Sequence, residues 1–132
     1  KSGPAAEVSA VASEADLTAA RAAVGRVRME GVIEEYIVSL VQATRPVGPS
    51  ASSIAEKFID VGASPRATLA LGVAARAHAF LLGGRGYVTP DDVKAVARDV
   101  LRHRIVVNYE AEADGVGPDE VIAKLLDSVR TP

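Results

Sequence analysis

The chain has 132 residues, 48% hydrophobic and 24% charged, with only 4% aromatics and a formal net charge of −2; this fits one soluble domain large enough to bury a core of Val, Leu, Ile and Ala. The slight acidity argues against a general binder of nucleic acid or anionic membranes, and the lack of cysteine excludes a disulfide framework or a cysteine-ligated metal. No apolar run is long enough to span a bilayer and no secretory signal is recognisable, so the expected location is cytoplasmic, with neither membrane insertion nor nucleic acid as a partner.

Residues 1–12, KSGPAAEVSAVA, are small and aperiodic and predict a flexible tail, with one domain over 13–132. Ser13 and Asp16 have the spacing of a capping box, in which a hydroxyl and an acid three residues on satisfy each other's backbone N–H groups. Leu17, Ala20, Val24 and Val27 follow at helical spacing, weakened by Gly25. A clearer stripe is Ile33, Tyr36, Ile37, Leu40, Val41 and Thr44, with Glu34, Glu35 and Gln42 facing away and Pro46 ending the helix. Residues 46–62, rich in Pro, Gly and Ser, predict a connection holding one or two helical turns around IAEKFIDV.

A long helix is predicted from Pro65 to Leu82, with Leu69, Val73, Ala77 and Phe80 on its buried face and GGRG at 83–86 as the stop. Thr89 as cap, Pro90 at the first position and two acids in the first turn start another, which buries Val93, Val96, Ala97 and Val100. RIVVNYE, 104–110, is rich in β-branched residues and predicts an extended stretch able to pair with YVT, 87–89. Pro118 opens a last helix that buries Val121, Ile122, Leu125, Leu126 and Val129. The predicted fold is all-α, a bundle of about five helices with one short two-strand pairing at most.

Chemistry is sparse. None of the four lysines is preceded by the glycines of a phosphate loop. His78 and His103 lack ligand or triad spacing, and His78 reads as an ordinary helix-surface residue. No nucleophile with its base and no carboxylate pair can be assembled, so a self-sufficient enzyme is not expected.

Arg66 is the residue out of place. Ser64 and Pro65 predict a helix start, with the serine hydroxyl as cap and the proline pre-set for the first helical position, yet a cation beside that end opposes the helix dipole. Leu69, Val73 and Ala77 lie three, seven and eleven residues on, which puts Arg66 in line with the predicted core stripe, its guanidinium projecting past the bundle's end. Two readings stand. Either the guanidinium is merely solvated, or helix start and guanidinium together form an anion site suited to phosphate.

Three stretches resemble the C-terminal lid domain of MoxR-family AAA+ ATPases, relatives of the magnesium-chelatase group: YIVSLVQATR (36–45), GASPRATLAL (62–71) and YVTPDDVKAVARDVLRHRIVVNYEAEADGVGPDEVIAKLL (87–126). They occur in family order and, with what lies between, cover most of residues 13–129. The resemblance implies that Arg66 is sensor 2, reaching from the lid to the γ-phosphate of ATP on a preceding α/β domain, with Ser64 and Pro65 shaping the nucleotide-facing helix start. It also implies that ATP and Mg belong to the full-length protein, none binding tightly to this chain alone. The implied partners are that α/β domain, neighbouring subunits of a ring and von Willebrand factor A domain proteins, and the implied process is chaperone-like remodelling or metal insertion. The LRHR arginines, Arg102 and Arg104, are either a solvated patch or a contact to a neighbouring subunit. The family's phosphate loop, metal-binding acids and first sensor have no counterpart here, as expected of a lid taken from a longer ATPase. The alternative from another class is a histone-fold-like or DNA-binding helical module, built on TPDDV, an apolar helix and the basic LRHR.

Overall fold

The computed structural model describes residues 7–132. Of the tail expected over 1–12, residues 1–6 lie outside the described residues, and 7–12 are exposed without helix or strand. The described residues form seven helices and one two-stranded antiparallel pairing. In chain order these are α1 (Glu14–Gly25), α2 (Gly31–Ala43), α3 (Ser53–Phe58), β1 (Ile59–Val61), α4 (Arg66–Leu81), α5 (Pro90–Leu101), β2 (Val106–Val107), α6 (Tyr109–Ala113) and α7 (Pro118–Ser128). None of the described helices is long and apolar enough to cross a membrane.

Local chemistry sets most of the helix starts. Ser13 and Asp16 form the capping box of α1, the Ser13 N–H donating to the Asp16 carboxylate at 2.8 Å. The Ser52 hydroxyl accepts the Ala55 N–H at 3.0 Å and so caps α3, and Asn108 accepts from Ala111 at 3.0 Å and caps α6. Pro90 and Pro118 stand in the first turns of α5 and α7.

The core has α2, α4, α5 and α7 as its main walls. All six residues of the predicted α2 stripe are buried. Val93 and Ala97 of α5 and Val121, Ile122 and Leu125 of α7 are buried as well. The phase of α4 departs from expectation. Its buried face is Ala67, Leu71, Ala75 and Ala79, with Gly72 beside it, while Leu69 and Val73 are 72% and 63% exposed. The reason is side-chain size: α4 packs most extensively on α5, and a row of alanines lets the two backbones approach where larger residues would hold them apart.

The helical bundle with one short pairing is as expected; among the described residues α3 is the short helix expected around IAEKFIDV, and one-turn α6, which occupies part of RIVVNYE, was not expected. Only Val106 and Val107 of that stretch are strand, and they pair with β1, Ile59 opposite Val107 and Val61 opposite Val106, and not with YVT. Tyr87 instead forms an isolated parallel bridge with Arg28, where Arg28 donates to Gly86 O and accepts from Val88 N, both at 2.9 Å. This joins the α1–α2 connection to the α4–α5 loop.

Candidate functional site

The corrected phase of α4 changes what surrounds Arg66. Arg66 is exposed at the first residue of the helix, on the same outward side as Leu69 and Val73. It is therefore aligned with an exposed apolar face and not with the core stripe. That face borders a groove between α2 and α4, whose floor and walls include Val38, Thr68, Leu69 and Val73. Arg66 and Arg45 line one end of the groove. At the other end Arg76 of α4 reaches toward Glu34 of α2 at 4.0 Å and donates to Val27 O at 3.1 Å. Among the described residues no carboxylate pairs with Arg66 or Arg45.

The start of α4 is not capped as the sequence suggested. Ser64 makes no side-chain cap; its carbonyl accepts the Ala67 N–H at 2.9 Å, and the Pro65 carbonyl accepts the Thr68 N–H at 3.1 Å. Pro65 is already helical, with φ −55° and ψ −23°, as its ring favours. Two of the donors that would face an anion are thus taken up by the chain, and the anion-binding capacity of this end rests chiefly on the guanidinium.

The loop that delivers Arg66 is held from α2. Thr44, fully buried, donates its hydroxyl to Val41 O at 2.7 Å and accepts the Ala63 N–H at 2.9 Å. Gly62 lies so near this corner that a Cβ there would stand 2.6 Å from Thr44 O and 2.8 Å from Arg45 Cα.

A second polar cluster was not anticipated. Asp92, completely buried, receives both guanidinium nitrogens of Arg85 at 3.0 Å, the Thr89 N–H and hydroxyl at 2.8 Å each, and His78 Nδ1 at 2.8 Å. Burial by itself would raise the Asp92 carboxyl, but these donors outweigh it and hold the group well below the usual carboxylate range. An ionised carboxylate only accepts, so His78 carries its proton on Nδ1. His78 is thus a half-buried partner of Asp92 and not an ordinary surface residue. The signal in the sequence was the capping-box spacing of Thr89 and Asp92, with the extended reach of Arg85 from the glycine-rich turn.

The LRHR arginines differ from each other. Arg102 makes a bidentate pair with Asp119 at 2.8 and 3.0 Å and lies 3.4 Å from Asp99, all on the surface. Arg104 Nη1 lies 3.0 Å from His103 Nε2, while its Nε is buried without a partner among the described residues. Among the described residues no group of three or more His, Asp or Glu side chains is placed to hold a metal ion.

A mainly helical domain with a short two-strand antiparallel pairing matches the fold of an ATPase lid. Residues 51–125 match the AAA lid domain, and the chain belongs to that family. It is 44% identical over 98 residues to chaperone MoxR1 of Mycobacterium tuberculosis, covering 74% of this chain and 26% of that protein. It is 35% identical to the uncharacterized protein YeaC of Bacillus subtilis, over 100% of this chain and 38% of the other, and 33% identical to protein MoxR of Methylorubrum extorquens, over 78% and 31%. A crystal structure of a Cytophaga hutchinsonii protein assigned as an ATPase superposes with a TM-score of 0.81 at 38% identity, covering 89% of this chain and 36% of that one. The chain is therefore an AAA lid domain homologous to the MoxR chaperones, and it spans between 26% and 38% of the length of these relatives.

Proposed function

We propose that this domain is the lid of a MoxR-type AAA+ ATPase, closing over ATP bound by an α/β domain and supplying Arg66 as the sensor 2 guanidinium. The observation that carries the reading is the outward face of α4: an exposed arginine with no carboxylate partner, continuous with exposed Leu69, Val73 and Val38. Large apolar residues gathered on one face signify a surface that another body covers. Most of the length of the relatives lies outside this chain, which supports an α/β domain as that body. Arg66 fits a terminal phosphate, since a planar guanidinium donates two parallel hydrogen bonds and keeps its charge. Phosphoryl transfer is helped by positive groups fixed where charge develops. The phosphate loop and the metal-binding acids, and hence Mg, belong to the α/β domain in this reading. Closure then reports nucleotide state to neighbouring subunits of a cytoplasmic ring, and the work done is chaperone-like remodelling or metal insertion, with von Willebrand factor A domain proteins as partners.

The test is Arg66→Ala in the full-length ATPase and in the isolated lid. The lid should melt unchanged or slightly higher, since an unfavourable charge–dipole contact is removed. The full-length protein should lose on the order of tenfold in hydrolysis, as for a charge-assisted hydrogen bond to phosphate, with kcat falling more than affinity if the contact tightens as charge develops. Arg66→Lys should rescue partly. A lid that unfolds, joined to an ATPase that turns over normally, would make Arg66 structural and refute the reading.

A further inference from the structure

Arg66 can serve an anion on another domain only if residues 62–65 hold their place, and little in those residues does so by itself. The β1–β2 pairing ends at Val61, and Ser64 provides no side-chain cap. The hold comes from the end of α2. Thr44 has one hydroxyl proton, which goes to Val41 O at 2.7 Å, so the oxygen's lone pairs are fixed in direction and one receives the Ala63 N–H at 2.9 Å. Both residues are buried, so the Ala63 N–H has no solvent to turn to if this acceptor is lost. Gly62 lets the loop come this close. A Cβ at 62 would meet the Thr44 carbonyl oxygen at 2.6 Å and Arg45 Cα at 2.8 Å, and these are backbone atoms that cannot swing aside.

We propose that Thr44 and Gly62 are positioning residues for Arg66: together they clasp the loop to the C-terminal end of α2 and fix where the α4 helix start, and hence the guanidinium, stands relative to the groove. The inference rests on the reading of Arg66 given above. Their effect on hydrolysis passes through Arg66, because neither reaches the groove's outward face itself. A displacement of about 1 Å is enough to forfeit much of what a positioned group contributes, so a small slackening of this clasp is measurable, up to the loss caused by Arg66→Ala.

The experiment is a double-mutant cycle in the full-length ATPase. Thr44→Val removes the hydroxyl and keeps the shape, Thr44→Ser keeps the hydroxyl, and Gly62→Ala inserts the clashing Cβ; each is made with Arg66 present and with Arg66→Ala. With Arg66 present, Thr44→Val should lower kcat several-fold, up to the roughly tenfold loss of Arg66→Ala, with KM for ATP changed far less, Thr44→Ser should recover most of the rate, and Gly62→Ala should lower kcat within the same bound. In the Arg66→Ala background, Thr44→Val should cost less than about twofold more, because residues acting through one group do not add. If the Gly62→Ala protein does not fold, the Thr44 pair carries the test alone. Equal losses in both backgrounds, or no loss from Thr44→Val, would overturn the positioning role while leaving Arg66 in place. Native hydrolysis from Arg66→Ala itself would instead overturn the reading on which this inference rests.

Discussion

Asp92→Asn is the sharpest probe of the packing between α4 and α5, because it changes charge while keeping volume. The carboxylate is 0% exposed and satisfies five donors from three residues: two from Arg85, two from Thr89 and one from His78. An amide presents one acceptor and turns an NH2 group toward donors, so at least one of these contacts becomes donor against donor. Breaking a buried charge pair costs about 3–5 kcal/mol when the remaining charge is stranded. Arg85 and His78 keep 30% and 25% of their side-chain exposure and recover some solvent, which puts the expected loss near the lower end, about 3 kcal/mol. For a domain of this size that lowers Tm by roughly 10 °C. The pH dependence has a definite sign. The folded carboxyl titrates below its ordinary 3.8, so as pH falls from about 5 the unfolded chain takes up the proton first and stability declines. The contribution is complete above about pH 5 and is lost progressively as pH falls toward the depressed folded value. Thermal melts of the isolated chain by circular dichroism, at pH 7 and in steps down to about pH 3, check both statements. An Asp92→Asn chain that melts within about 3 °C of the native one at pH 7, with the same acid slope, would refute the account of this cluster.

The remaining predictions concern the core and the missing chemistry. Leu71→Ala and Leu40→Ala should each destabilise by about 2–5 kcal/mol in denaturant titrations, whereas Leu69→Ala and Glu35→Ala should stay within about 0.5 kcal/mol; equal midpoints for Leu71→Ala and Leu69→Ala would show the α4 phase to be wrong. The isolated chain should melt cooperatively and release phosphate from Mg-ATP only at background rate, since it has no phosphate loop to position the nucleotide; robust Mg-dependent hydrolysis by pure material would contradict its role as a lid.

Much of the fold is legible in the sequence because the forces that set it are local. The Ser13 and Asp16 capping box lies within four residues, and the α2 stripe repeats over three turns. The β1–β2 pairing is different in kind. Its strands have three and two residues and lie on opposite sides of α4 and α5 in the chain, so neither has a period to read, and only tertiary contact selects the partner. The same holds for α6, whose single turn follows directly from the strand through the Asn108 cap, with Asn108 Nδ2 also donating to Lys57 O at 2.8 Å. The Asp92 cluster was half legible: its cap spacing is local, but its burial depends on His78 arriving from α4 and Arg85 from the turn between α4 and α5.

The error on α4 follows from the assumption that the largest apolar residues of a helix mark its core face. In a domain that buries only its own surface, that assumption holds, because exposed Leu and Val return nothing. A helix that packs on two bodies carries two apolar faces, and sequence periodicity cannot say which belongs to which. In α4 the inner face is Ala67, Leu71, Ala75 and Ala79, small enough for close approach to α5, and the outer face carries Leu69 and Val73 in line with Arg66. The proposed lid function, with a contact that opens and closes, favours such a division: the inner interface with α5 is closely packed and buried, while the outer face offers a few larger side chains that solvent tolerates. Under the proposed lid function, the placement of Arg66 on the outer face accounts for a cation at a helix N-terminus without appeal to the lid's own stability. The charge is unfavourable to the helix that bears it, and in that proposal an anionic ligand on a covering domain would be its match.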